Sequence, residues 1–281
     1  MLKKQDGDLL QLEILMIVLG AVLLVLCILA IVIFPPGDTS KAPEPTEPAP
    51  TFAAPEPNPY GPEDFAEVNG YLACVTGPYS MGVDVSEFQG RIDWEKVKNA
   101  GVSFVFIRVG GRGWGQEGRL YPDSQAQENY AGAKAAGLQV GAYFFSQAVS
   151  VTEALEEASY TLDLIEGWEL DLPVVFDWEY VSSDARTANV KARDLTDCTL
   201  AFCDAIQDAG LETMVYFNPN QGRDLLYLEE LTIYPFWLAM YNAPMNYPYE
   251  VEYWQYTRYG RIPGIPGNVD INLLLPKRPI V

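Results

Sequence analysis

Asp177 and Glu179 stand two residues apart at the end of the apolar run Val174-Val175-Phe176-Asp177-Trp178-Glu179. The run reads as a buried strand. Side chains alternate across a strand, so Val175, Asp177 and Glu179 share one face. Two residues advance a strand by roughly 6.6 Å. Carboxyl groups about 5–9.5 Å apart are the working pair of enzymes that hydrolyse glycosidic bonds. The 281-residue chain contains no histidine. The commonest general base and metal ligand is therefore missing, which leaves Asp and Glu as the proton carriers. A D-x-E pair alone is also what a solvated strand end or a structural ion pair looks like, so its surroundings must decide.

Those surroundings are strands alternating with helices. Strands are predicted at 82–86, 104–109, 139–145, 173–179, 213–218, 236–241, 252–256 and 268–273. Helical patterns fall at 93–100, 123–136, 152–167, 191–209 and 220–229. Gly101, Gly137 and Gly210 each follow a helix, where a left-handed cap is wanted. This order predicts an α/β fold, an irregular (β/α)8 TIM-like barrel whose last strands are joined by loops too short for full helices. A doubly wound open sheet is the runner-up. In such barrels the chemistry sits at the C-terminal strand ends. Those ends carry Asp84, Ser86, Arg108, Tyr143, Asp177, Glu179, Tyr216, Asn218, Tyr241, Gln255 and Tyr256, with Asp270 near the start of the eighth segment. Tyr143, Tyr216 and Trp254 are candidates for stacking on sugar rings. Trp178 and Trp237 read as core.

Composition narrows the partners. A net charge of −20, from 38 acidic and 18 basic residues, argues against nucleic acid and against anionic lipid surfaces. Ile14–Phe34 is a run of uncharged, mostly apolar residues long enough to cross a bilayer of roughly 30 Å as a helix. No small-residue cleavage pattern follows it, so an uncleaved anchor is expected. Lys3 and Lys4 precede the run and favour a cytoplasmic N-terminus on residues 1–13, with the bulk of the chain outside the cell. Residues 35–59 are Pro-rich and read as an extended linker. Residues 60–281 then hold the barrel, in which 60–80 either packs beneath it or continues the linker. The four cysteines, at 27, 74, 198 and 203, form neither a disulfide framework nor a zinc site. No metal or organic cofactor is expected, and a monomer is assumed.

Whole motifs join these features. Met81-Gly82-Val83-Asp84-Val85-Ser86-Glu87-Phe88-Gln89-Gly90 with Ile92-Asp93-Trp94 resembles the opening G-I-D-V-S-x-x-Q-G-x-I-D-W of glycoside hydrolase family 25, the Chalaropsis-type lysozymes. Residues 104–110 look like its second strand and 141–145 its third. Residues 173–179 are similar to its P-x-x-x-D-x-E fourth strand. Residues 237–241, 254–257 and 267–272 match its late strands, the last as G-x-V-D-x-N. Two departures stand out. The second strand ends Arg108-Val109-Gly110-Gly111-Arg112-Gly113 where the family often has R-A-G-Y-G, and the insert 181–189 is unplaced.

The resemblance implies hydrolysis of the β-1,4 bond between N-acetylmuramic acid and N-acetylglucosamine in peptidoglycan, for wall remodelling or catabolism. It implies Glu179 as general acid. Asp177 would stabilise the developing cation, directly, as nucleophile, or by orienting the substrate's N-acetyl group. Asp84 and Asp270 would bind substrate and tune the pair, with Arg108, Tyr143, Tyr216, Trp254 and Gln255 as further site residues. The alternative is an anchored glycan-binding protein on an inactive scaffold. Retention of all four acids speaks against it. A chitinase-like D-x-x-D-x-D-x-E is absent, since Leu172 and Val175 occupy its upstream acidic positions.

Overall fold

The computed structural model describes residues 52–278. Two short strands, β1 (Phe65–Val68) and β2 (Tyr71–Cys74), form an antiparallel hairpin. The rest is built on β3 (Ser80–Val85), β4 (Val102–Arg112), β5 (Leu120–Pro122), β6 (Gln139–Ser146), β7 (Val174–Trp178), β8 (Thr213–Phe217), β9 (Phe236–Ala239), β10 (Tyr253–Gly260) and β11 (Val269–Leu274). The sheet order is β3-β11-β10-β9-β8-β7-β6-β4-β5, and β3 also pairs with β4. Eight strands thus close into a barrel, with β5 appended to β4. The open doubly wound sheet is excluded. Neighbours from β3 round to β10 run parallel, but β11 is antiparallel to both of its neighbours.

The predicted helices form as α1 (Trp94–Asn99), α2 (Ala126–Ala135), α3 (Val151–Leu164), α4 (Ala192–Asp208) and the short α5 (Pro219–Asp224). Asp93 caps α1 by accepting the Lys96 N–H, and Ser150 caps α3 by accepting that of Glu153. Gly101, Gly137 and Gly210 take φ of 95°, 74° and 83° just past their helices. The fifth predicted helix ends early, and a 3-10 turn at Leu228–Glu230 follows it.

Two apolar layers result. Inside the barrel, Phe104, Phe106, Val175, Met214, Trp237 and Tyr253 fill the bore. Outside, Phe144, Phe176, Phe202, Phe217 and Trp178 pack between the strands and α3–α4. Cys198 and Cys203 are buried free thiols in that outer layer.

Among the described residues, no full helix covers the wall around β10. The β1–β2 hairpin does so instead, with Phe65 edge-on to Trp254 at 5.0 Å. Tyr60 donates to the Pro276 carbonyl at 2.6 Å, and Arg278 pairs with Asp64 at 2.9 Å. Residues 60–80 therefore pack on the side of the barrel rather than beneath it. Just upstream, the Asn58 N–H donates to Pro248 O and the Glu250 N–H to Glu56 O.

The insert 181–189 is tied down by Arg186, which donates to the Gln147 carbonyl at 2.7 Å and pairs with Glu153. A buried ion pair, Arg112 with Glu157 at 2.7 Å, pins α3 to the end of β4. The proposed membrane span 14–34 lies outside the described residues. Among those described, no helix is long and apolar enough to cross a membrane.

Candidate active site

The C-terminal rim of the barrel opens into a cavity of about 310 Å³, within the size range of small-ligand sites. Four of its lining side chains are the acids read from the motifs: Asp84, Asp177, Glu179 and Asp270. Asp84 lies one residue before the end of β3, on the inner face. Asp177 continues the inner face of β7 from Val175, and Glu179 lies one residue beyond the strand. Asp270 arrives by a different route. Because β11 runs antiparallel, its beginning lies at the rim where the other strands end, and Asp270 pairs across from Asp84. Larger grooves of about 650 and 550 Å³ exist elsewhere, the first among the strand starts near Pro173, Glu212 and Pro235. Neither gathers these acids, so the smaller cavity is the chemically meaningful one.

The floor is aromatic. Phe106 stacks on Trp237 at 4.7 Å, and Tyr216 and Tyr143 stand edge-on to Trp237 at 4.9 and 6.3 Å. The Trp237 indole N–H donates to Asn272 Oδ1 at 2.8 Å. Asn272 and Gln255 in turn each donate an amide N–H to the same oxygen of Asp84, both at 2.8 Å. Gln255 Oε1 accepts from the Tyr216 hydroxyl at 3.1 Å and from that of Tyr241. Asp84 is thus the centre of a largely buried polar web.

Electrostatics favour retained protons. Burial raises the Asp84 carboxyl to about 6 against the pull of its two amide donors. Burial, then the Asp84 and Glu179 charges, raise Asp270 to about 8. Asp177 is pushed well above the usual carboxylate range by burial and by the charges of Glu179 and Asp84. Glu179 is raised by burial and by Asp84. Carboxyls crowded in a half-dry cavity cannot all ionise, so the cluster keeps protons at a pH where free carboxyls lose them. One oxygen of Asp177 is buried without a hydrogen-bond partner.

Most predicted site residues converge here. Tyr143, Tyr216, Gln255 and Arg108 line the cavity. Arg108 is nevertheless anchored sideways, to Asp123 at 2.7 Å and Glu87 at 3.1 Å, with Phe88 over its guanidinium at 4.8 Å. Trp254 does not belong to the site. It sits between Tyr253 and Gln255, which face inward, so alternation turns it outward against Phe65, and its indole donates to the Met240 carbonyl at 2.9 Å.

Sequence reading missed Phe88, Gln89, Phe145 and Arg258, which also line the cavity. Phe88 and Gln89 lie inside the first motif and were legible as motif members. Arg258 follows a register shift between Gln255 and Thr257, so strand alternation could not place it.

A closed β-barrel whose rim gathers carboxylic acids over an aromatic floor, without histidine, defines a site of the glycoside-hydrolase class. Comparison with known proteins narrows that class. The family model described as glycosyl hydrolases family 25 matches residues 83–265, and the chain belongs to that family. It is 31% identical over 216 residues to lysozyme M1 of Streptomyces globisporus, covering 68% of this chain and 66% of that protein. It is also 31% identical over 195 residues to an autolytic lysozyme of Clostridium acetobutylicum, covering 68% of this chain and 54% of the relative. Among solved structures it resembles the modular autolysin LytC of Streptococcus pneumoniae in complex with a synthetic peptidoglycan ligand, with a TM-score of 0.63, 26% identity and coverage of 75% of this chain and 52% of the other.

Proposed function

We propose that this chain is a muramidase, hydrolysing the β-1,4 bond between N-acetylmuramic acid and N-acetylglucosamine in peptidoglycan. The observation that carries this reading is the meeting of Asp84, Asp177, Glu179 and Asp270 in one cavity of a family 25 chain. The named lysozymes and the peptidoglycan-bound autolysin support the choice of substrate.

Glu179 gives its proton to the glycosidic oxygen as the bond to the muramic acid C1 breaks. The crowded carboxyls of Asp177 and Glu179 together retain a proton, which the pair presents from Glu179. Positive charge then develops at C1 and the ring oxygen, and Asp177 meets it. Asp177 serves either as a carboxylate facing C1 or by holding the substrate's N-acetyl group, whose oxygen closes on C1. The Glu179 carboxylate next takes a proton from the water that completes hydrolysis. Asp84, Asp270 and the tyrosines bind hydroxyl and acetamido groups around this centre.

Purified peptidoglycan treated with the full-length chain should yield new reducing ends on muramic acid. Glu179→Gln should lower kcat by about 10²–10⁴-fold. Reducing ends on glucosamine would overturn the bond assignment. Glycan binding without cleavage by the parent chain would replace hydrolysis with sugar binding.

The uncharged run 14–34 supports a further reading, that the enzyme is anchored in the cell membrane with its N-terminus inside and its barrel outside, facing the wall. Protease added to intact cells should remove the barrel. Protection of the barrel until lysis would refute this orientation.

A further inference from the structure

The ladder that carries Glu179 stops before reaching it. On one side β7 pairs with β6 as far as Trp178 opposite Ser146. On the other it pairs with β8 only as far as Asp177 opposite Tyr216. The carbonyls of Trp178 and Glu179 lie past these limits, where buried backbone oxygens need other partners. Two buried glutamines supply them. Gln221 Nε2 donates to the Trp178 carbonyl at 2.6 Å, and Gln147 Nε2 donates to the Glu179 carbonyl at 2.7 Å. The two come from opposite sides of β7. Gln147 directly follows β6, and Gln221 lies in α5, just after β8.

Each carboxamide is itself held. Gln221 Oε1 accepts the Asn218 N–H at 2.8 Å, as the third residue of the α5 capping box. Gln147 Nε2 also donates to the Ser146 carbonyl at 2.8 Å, while its Oε1 accepts the Thr187 hydroxyl at 3.0 Å. Thr187 belongs to the insert 181–189, the same segment whose Arg186 grips the Gln147 carbonyl. Thr187 is buried along with Gln147. The chain leaves the acidic strand, loops away, and returns to brace the side chain that holds its own exit.

We propose that Gln147 and Gln221 are positioning residues for Glu179, extending the β7 ladder with side-chain amides, and that the insert 181–189 acts as the brace for Gln147. The proposal rests on Glu179 being the proton donor. A proton donor must lie within hydrogen-bond reach of the leaving oxygen. Displacing a reacting group by about 1 Å can cost up to about 100-fold in rate. A freed Glu179 backbone would permit such displacement without altering any group that touches the sugar.

The test uses the full-length chain and soluble oligomers of alternating muramic acid and glucosamine, with kcat and KM measured on the folded fraction. Gln147→Met keeps the side-chain length and removes the amide. It should lower kcat about 10- to 100-fold while KM stays within about threefold of the parent. Thr187→Val removes only the brace hydroxyl and should lower kcat about two- to tenfold in the same pattern. Parental kcat in folded Gln147→Met, or a rise in KM alone, overturns the clamp. If Gln147→Met does not fold, Thr187→Val decides, and an unaltered kcat there overturns it. Glu179→Gln is run alongside. Should that variant keep parental kcat, the reading of Glu179 fails and the proposal falls with it. Parental kcat in Gln147→Met beside a dead Glu179→Gln overturns the clamp alone.

Discussion

Asp270 lies directly across from Asp84, its partner in the antiparallel pairing of β11 with β3. Two acids so placed, in a cavity they share with Asp177 and Glu179, store electrostatic cost in the folded state. Asp84 is raised from 3.8 to about 6 and Asp270 from 3.8 to about 8, burial being the first cause in each case. Both carboxyls thus hold protons more tightly in the folded than in the unfolded chain.

That relationship fixes the sign of a pH effect on stability. Below about pH 4 both states are protonated at these sites and neither carboxyl contributes. From there to about pH 8 the folded chain binds more protons than the unfolded one, so stability falls as pH rises. Thermal unfolding should show a lower Tm at pH 8 than at pH 5. Asp270→Asn removes one charge at almost constant shape. It should raise Tm at pH 8 and narrow the difference between the two pH values. A difference of parental size in that variant would show that the acid pair does not cause it.

Glu179 gives a second pH dependence, in rate rather than stability. Its carboxyl is raised by burial first and by the Asp84 charge second. As the proposed general acid, Glu179 works only while protonated, so kcat/KM should fall on the alkaline side as it ionises. Asp84→Asn takes away the charge and lowers the Glu179 pKa. The alkaline limb of the pH–rate profile should then move to lower pH. A limb that stays in place, or moves upward, would mean that Asp84 does not set the acid's protonation.

Asp177 is buried and carries an oxygen with no hydrogen-bond partner. In the proposed mechanism its charge or its grip on the acetamido group is needed chiefly in the transition state. Asp177→Asn should therefore lower kcat by about 10²–10³-fold, with glycan affinity close to the parent's. Loss of affinity with kcat retained would recast Asp177 as a binding residue only.

How much of this was legible in the sequence follows from what sequence periodicity encodes. The eight barrel strands and the acids at their ends were readable, because apolar runs and glycine caps are local signals. The route of Asp270 to the rim was not, since strand direction is set by closure against β3 and β10. The β1–β2 hairpin was also invisible. Only the bare barrel wall around Trp254 explains why that hairpin packs where it does. The insert 181–189 had no counterpart in the motifs, and its partner Gln147 lies some forty residues upstream. Arg258 was hidden by the irregular register of β10. Long-range pairing, rather than composition, decides each of these.

Trp254 and Gln255 offer the sharpest separation of packing from chemistry, because they are adjacent and face opposite ways. Trp254 is sealed against Phe65, and its indole satisfies the Met240 carbonyl. Trp254→Phe loses that hydrogen bond and leaves a void, a cost of about 1–3 kcal/mol. For a domain of this size, each kcal/mol lowers Tm by about 2–4 °C. Activity per folded molecule and KM should match the parent, because no part of Trp254 reaches the cavity. Gln255→Leu removes an amide that holds Asp84 and the oxygen that accepts from Tyr216 and Tyr241. It should lower kcat/KM by at least about tenfold. A weaker KM in Trp254→Phe, with Gln255→Leu fully active, would place the glycan on the outer face of β10.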